Sequence, residues 1–588
     1  TFLCLHMCKI LLVMLFPAVL AAQLFPAAVK AAGPTTPFDQ PARAAQPYEQ
    51  RLREQEARQR RQLLTPPPAV EVAPRGTEAL RPGGPCVTVR SIRVEGARLL
   101  SETAMRKLVS PYEGQCLNLD GINAVLQKLT NAYVERGYVT SRAVLGPQDL
   151  SQGVLVIKII EGRVESIGPD AASTMQPRQF LTIFPGVKGS VLQLRDIEQG
   201  LDQLNRLPSN NASMRIEPGA EAGSSRVLIN NVQQRTWRLS AGVDNLGQET
   251  TGLTQYTLGF EKDNFLGCND QIALYWTSSM PRIAGQFGNP WEGYSDSFSG
   301  LFSVPFGYWL LSGSVSRFNY STQIYGLNQA YTSSGTTTTA RLALDRVIWR
   351  DAAGKLSLGG FIQYRDVVNR FEDVRLIASS YRMTTSGLAA SYVRRMLGGV
   401  LTLQAEQIWG LPDMSWSVPG PITSTTPHTR FSKSTGTLGW YRPFNVGEQQ
   451  WAWSLSAYGQ TSEQTMYGSE RLYLGSSYTV RGFKETPVGG DCGGYVRNEL
   501  AWTVPEKWLG PVKKAPFGQV RLFAAYDYGG IVRDGKDPYE WGELSGMALG
   551  LRTSGDFSMQ VAWSHPLGAP DYVKEKDDVW YLTLRYTF

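Results

Sequence analysis

Histidine is scarce in this chain of 588 residues: there are three, and only His428 and His565 lie beyond the first 32 residues. Neither sits in a recognisable serine or carboxylate constellation, and no His/Cys spacing suits a metal site, so nothing points to an enzyme or a bound cofactor. Basic residues are never clustered and interleaved with aromatics, so a net charge of +7 does not read as a nucleic-acid surface. Past the extreme N-terminus no uncharged apolar run reaches the roughly 18 residues a membrane-crossing helix needs. If this chain is in a membrane, strands put it there.

What the chain has in quantity is glycine (59), tyrosine (26) and tryptophan (15). Its first 32 residues, with Lys9, the apolar run Ile10 to Leu20 and then small residues, have the form of a secretory signal with an open cleavage point. Cys4 and Cys8 fall in that segment, leaving Cys86, Cys116, Cys268 and Cys492. Cys86 and Cys116 share one small domain and could pair in an exported protein, although spacing alone does not show that their Cβ atoms face each other. Cys268 and Cys492 are far apart and read as unpaired packing residues.

The last stretch, Asp578 to Phe588, alternates strictly. Trp580, Leu582, Leu584, Tyr586 and Phe588 share one face, and Tyr581, Thr583, Arg585 and Thr587 the other. A soluble sandwich strand could look the same, but the pattern recurs from about residue 236 onward. Apolar-out, polar-in strands closed into a barrel are the one way β-structure spans a bilayer without unpaired edges. Candidate strands start near 236, 254, 270, 295, 308, 333, 354, 381, 398, 429, 450, 492, 517, 544, 555 and 578. Sixteen is an even number and encloses a lumen too wide for side chains to fill. If the first strand runs outward, residues 463–491 form the sixth external loop.

Before the barrel, residues 47–64 are strong helix formers with Glu49/Arg53, Glu54/Arg58 and Glu56/Arg60 at i,i+4. A helix polar nearly all round is a solvated spacer or lies inside something wet and charged, such as the barrel lumen. Residues 65–85 carry six prolines and read as a stiff, extended linker. Residues 86–161 then suggest a β-α-α-β-β module: a strand over Val87–Val94, a helix over Ser101–Ser110, a second helix capped by Asp120, and strands over Val139–Leu145 and Val154–Ile160. Residues 162–235 repeat the order. Such modules expose a strand edge that can take up an extended peptide, or they are merely spacers.

Residues Val480, Arg481, Gly482 and Phe483 in that sixth loop, the run Asp263 to Asp270, the run Phe523 to Gly529, the terminal Phe588 and the order of helix, linker and paired modules carry a resemblance. Over about residues 47–588 the chain resembles the outer-membrane transporters of two-partner secretion, within the Omp85 superfamily. The resemblance implies a mostly-β fold: a 16-stranded antiparallel transmembrane β-barrel preceded by an N-terminal plug helix and two POTRA modules. It implies a bacterial outer-membrane location with the modules in the periplasm. The partners would be an exoprotein with an N-terminal secretion domain, the lipid bilayer, and the barrel-assembly machinery that reads Phe588 during biogenesis. It further implies that loop six folds inward so that Arg481 meets Asp527, which strand parity also aims inward. Arg497 and Glu499 would extend the charged lumen. In a wet pore such a pair is worth only about 1 kcal/mol, and it is either a lock holding one arrangement or an ordinary salt bridge. A barrel-assembly insertase of the same superfamily is the alternative, although that resembles a chain with more modules.

Overall fold

The computed structural model describes residues 48–52, 55, 86–279, 293–325, 329–417, 425–510, 516–533 and 541–588. The expected signal segment, the proline-rich linker and residues 53, 54 and 56–64 of the expected helix lie outside them.

The first module holds β1 (Val87–Val89), β2 (Ser91–Glu95), α1 (Glu102–Val109), β3 (Gln115–Leu117), α2 (Leu119–Val134), β4 (Arg142–Leu145) and β5 (Val154–Ile160). The single strand expected over Val87–Val94 is two. Arg90 turns its N–H to the Gly153 carbonyl, so β1 pairs with β3 while β2 runs parallel to β5. Cys86 and Cys116 form a disulfide beside the Thr88↔Cys116 pair. The cap of α2 is Asn118, not Asp120: the Asn118 side chain accepts from the Gly121 N–H at 2.9 Å, and Asp120 sits in the first turn. There its charge complements the helix dipole without capping. Val125, Leu129, Tyr133, Leu155 and Ile157 form the buried core.

The second module repeats the plan with β6 (Arg163–Pro169), α3 (Pro177–Ile183), α4 (Leu194–Asn205), β7 (Ser213–Pro218) and β8 (Ser224–Asn230). Its sheet runs β6-β8-β7, so β7 is bonded on one side only. The equivalent edge of the first module is β4.

Sixteen antiparallel strands close the barrel. They are β9 (Trp237–Asp244), β10 (Gln255–Asp263), β11 (Gln271–Ser278), β12 (Tyr294–Phe306), β13 (Trp309–Tyr325), β14 (Ala330–Arg350), β15 (Gly354–Phe371) and β16 (Tyr381–Met396). Then follow β17 (Gly399–Gly410), β18 (Ser432–Val446), β19 (Gln449–Ser462), β20 (Gly493–Thr503), β21 (Val520–Ile531), β22 (Gly542–Thr553), β23 (Phe557–Gly568) and β24 (Val579–Thr587). The seam pairs β24 with β9 from Thr583↔Asp244 to Thr587↔Ser240, and the Phe588 N–H reaches the Leu239 carbonyl. Period-two alternation decides the faces: Leu258, Ile362, Leu388, Leu549 and Trp580 stand outward and exposed, as lipid-facing residues do. At about 4.8 Å between strands and a tilt near 40°, sixteen strands enclose a cylinder roughly 30 Å across.

The second module docks on the periplasmic turns through buried polar contacts. The turn after β10 holds Asn264, Gly267 and Asn269 at positive φ, which explains the Asn and Gly of the run Asp263 to Asp270. Arg206, at the end of α4, is buried against it and donates to the Asn269 carbonyl and to Ser303 Oγ. Burial pushes the Arg206 guanidinium down to about 10, opposed by Asp263 and Asp270. Asp263 accepts from the Ser209 N–H at 3.0 Å and is gripped by both Arg238 terminal nitrogens at 2.9 Å. On the other flank Asp202 binds Arg350 at 2.5 Å and Lys355 at 3.1 Å.

Candidate functional site

The site is the lumen, and it begins with wall parity. On β21 the side chains of Leu522 and Tyr526 are exposed outward, while Phe523 and Asp527 point in and are buried. Loop six, between β19 and β20, enters the lumen and forms a short hairpin through Leu472–Leu474 and Val488–Gly490. At its tip Val480, Leu474, Phe483 and Val488 join Ile531 and Leu544 of the wall in an apolar cluster. The Phe483 carbonyl accepts from the Tyr581 hydroxyl at 2.9 Å. Burial of these side chains draws the loop inward; its charged residues then fix where it stops.

Arg481 makes that stop. Its Nε is 2.5 Å from Asp527 Oδ2, its Nη2 2.8 Å from Oδ1, and its own backbone N–H donates to Oδ2 at 3.1 Å. The two-pronged pairing is what a guanidinium offers a carboxylate and lysine cannot. Glu499 is 3.2 Å from Arg481 and 3.1 Å from Arg552, while Arg497 lies 3.7 Å from Asp527 and donates to the Tyr478 carbonyl. Arg497 and Glu499, expected only to extend the charged lumen, therefore belong to the same cluster. The expectation of a pair in a wet pore is corrected. Arg481 is 3% exposed and Asp527 0%, and a buried pair is costly to break because the remaining charge is stranded.

Two glycines allow the approach. Gly482 has φ +100°, and a Cβ there would lie 2.9 Å from the Pro566 nitrogen. A Cβ on Gly546 of β22 would lie 1.9 Å from the Arg481 carbonyl oxygen. Only a residue without a side chain fits between the loop and β22.

Loop six has a second anchorage further round the wall, on β15–β18. Met466 is buried with Phe361, Met383, Ile408 and Phe431, and Tyr467 stacks on Tyr381 at 3.9 Å. Glu470, 4% exposed, accepts from Lys433 of β18 and lies 3.5 Å from Arg365 of β15. Asp491 at the loop's return pairs with Arg471 at 3.4 Å. The loop thus crosses the lumen from β15–β18 to β20–β22.

Residues 48–52 are helical and lie in the same lumen. Tyr48 stacks on Phe318 of β13 at 5.1 Å, and Glu49 meets Arg365 at 3.1 Å. Gln50 accepts from Ser476 of loop six, while Arg51 donates to both oxygens of Asp244 on β9 at 3.1 Å. Glu49 therefore pairs with the wall; its expected helix partner Arg53 lies outside the described residues, as do the i,i+4 partners further along. Between helix, loop and wall a cavity of about 990 Å³ remains.

Outside the membrane span, the loop's exit is tied to its neighbours. Glu575 accepts from the Lys484 and Glu485 N–H groups at 2.7 and 2.8 Å, and the Glu485 carboxylate accepts from the Glu249 N–H at 3.1 Å. Burial pushes the Glu485 carboxyl up to about 7, helped by the Glu249 and Glu575 charges.

Sequence reasoning missed Arg365, Lys433, Glu470, Asp244 and Gly546. The available signal was weak: Arg365 alternates with the outward Ile362 and Tyr364, but inward charge alone does not name a partner. Cys268 and Cys492 are free thiols. Phe588 is exposed at the seam, edge-on to Tyr586 at 4.6 Å.

Comparison with known proteins follows the same outline. A family model for the haemolysin secretion/activation proteins ShlB/FhaC/HecB matches residues 223–553, a ShlB-type POTRA domain matches 87–162, and another POTRA domain matches 163–218. The outer membrane transporter CdiB of Escherichia coli is 36% identical over 537 residues, covering 90% of this chain and 87% of the relative. The hemolysin transporter protein ShlB of Serratia marcescens is 31% identical over 445 residues, 75% of each chain. The solved structure of CdiB from Escherichia coli aligns with a TM-score of 0.84 at 34% identity, over 95% of this chain and 100% of that one.

Proposed function

The chain belongs to the haemolysin secretion/activation family ShlB/FhaC/HecB, the two-partner secretion transporters of the outer membrane, and on that premise we propose how it moves its cargo. A partner exoprotein arrives unfolded in the periplasm, and its N-terminal secretion domain adds as a strand to a free module edge, foremost that of the second module. The lumen helix then leaves, loop six yields, and the chain threads outward through the barrel. With no nucleotide site in the sequence, folding outside supplies the direction. The function is transport, not catalysis.

The observation that carries this reading is a closed sixteen-stranded barrel whose lumen holds the helical residues 48–52 and the infolded loop six, beside a module with an edge bonded on one side only. Extended peptides dock on such edges through main-chain hydrogen bonds. An emptied lumen some 30 Å between backbones is wide enough for a polypeptide, whereas a helix about 10 Å across together with an infolded loop closes it.

Two measurements test the proposal. Deleting residues 47–64 is expected to raise single-channel conductance in planar bilayers; unchanged conductance refutes the plug. A photo-crosslinking residue in place of Arg215, exposed on β7, is expected to trap a stalled exoprotein that carries an N-terminal secretion domain. No adduct from Arg215 or its β7 neighbours while cargo accumulates would refute docking at this edge.

A further inference from the structure

Arg365 stands where three parts of the lumen meet. It projects inward from β15, 7% exposed, and its Nη1 donates to Glu49 of the helix at 3.1 Å and to the Ser469 carbonyl of loop six at 2.8 Å. The same nitrogen lies 3.5 Å from Glu470, whose other oxygen binds Lys433. Among the described residues, Glu49, Glu470, Arg365 and Lys433 bring two carboxylates and two cations together, buried between helix, loop and wall. When the helix leaves, Glu49 goes with it, and Arg365 loses one of the two carboxylates paired with it among the described residues.

That loss changes what holds the loop. A buried charge is stable only with its partners in place, and removing one member of a desolvated ionic group weakens the rest. The anchorage at Arg481 and Asp527 is different: among the described residues, no helix side chain belongs to that ionic cluster. Loop six therefore has one anchor whose ionic group includes a helix carboxylate and one whose ionic cluster does not.

We propose that Arg365 is the positioning residue that couples the helix to the first limb of loop six. Departure of the helix loosens residues 463–475 from β15–β18 while the Arg481–Asp527 anchor still holds. Opening then proceeds in order: helix first, the first limb second, the tip last. The inference rests on the plug reading above and assigns that reading its regulatory contact. Gln50, accepting from Ser476, and Arg51, hydrogen-bonded to Tyr478, are further helix contacts with the loop, but neither takes a counter-charge from a charged group of the loop when the helix leaves.

The test uses the full chain in lipid nanodiscs, following hydrogen exchange of the peptide covering 463–475 beside that of 476–484, with bilayer conductance measured in parallel. Glu49→Gln is expected to raise exchange over 463–475 about tenfold, the usual effect of one charge-assisted contact, and to leave 480–483 protected. Arg365→Gln should do the same, and the double variant should add nothing, because both changes break one linkage. Arg365→Lys, which keeps the charge, should restore part of the protection and carries the test if Arg365→Gln does not assemble. Additive effects in the double variant, or unaltered exchange at 463–475 with Glu49→Gln, overturn the coupling. The two readings fail separately. Deleting residues 47–64 without a rise in conductance removes the plug, whereas raised conductance with 463–475 still protected removes only the coupling.

Discussion

Replacing Arg481 by alanine tests the loop anchor most directly, and its cost can be worked from the geometry. The change deletes two side-chain contacts to Asp527, at 2.5 and 2.8 Å, and one to Glu499 at 3.2 Å, while the backbone N–H to Asp527 survives. Removing one partner of a buried pair costs about 3–5 kcal/mol, mostly the stranded charge. Arg497, already 3.7 Å from Asp527, can swing closer and recover part of this, so about 3 kcal/mol is expected. That is roughly a 100-fold fall in the ratio of docked to undocked loop. Hydrogen exchange over 476–484 should accelerate by that factor, secretion of the partner should fall, and the barrel should still assemble. Arg481→Lys should fall between, keeping the charge but losing the second prong. Unchanged exchange with Arg481→Ala would show that the apolar cluster around Phe483 holds the loop without the ion pair, and the argument from stranded charge would fail.

Other predictions concern separate contacts. Gly546→Ala should undock the loop about as strongly, near 2–3 kcal/mol, since overpacking against the Arg481 carbonyl cannot be relieved by a side-chain rotation; normal protection of 480–483 in this variant would contradict the close approach. Replacing both Cys86 and Cys116 by serine removes a cross-link between residues 30 apart, costing the first module about 3–4 kcal/mol by the loop-entropy estimate. Exchange of α2 in the full chain reports it, and equal protection would refute a stabilising disulfide. Glu485 gives loop six a pH dependence. Its carboxyl is raised in the docked loop from 4.5 to about 7, so the docked state holds the proton more tightly. Its stabilising contribution is full below about pH 4.5 and is lost as pH rises through 7. Exchange over 484–487, corrected for intrinsic rates, should therefore rise between pH 5 and 8. Glu485→Gln should flatten the profile, and an unaltered slope in that variant would assign the effect elsewhere.

Much of the architecture was legible because it is written locally. Alternation along β24 shows which side chains meet lipid, and sixteen repeats of the same pattern gave strand starts within three residues of those observed. Parity on β21 aimed Asp527 inward without any knowledge of its neighbours. The repeated order of strands and helices marked two modules, although the break at Arg90 went unread: the apolar positions are Val87 and Val89 and then Ile92 and Val94, so the alternation changes phase where the competing partners β3 and β5 divide the strand.

Contacts across the lumen are another matter. Any inward charge on one strand could face dozens of others, and the choice depends on tilt and stagger, which appear only when the sheet closes. Sequence alone therefore determined the strands, their faces and the tethered modules, because those follow from neighbours along the chain. Closure alone decided that Arg365 reaches both Glu49 and Glu470, that Gly546 lies under Arg481, and that a polar helix finds Asp244 waiting on the wall, because those residues meet only around a ring that no local pattern encodes.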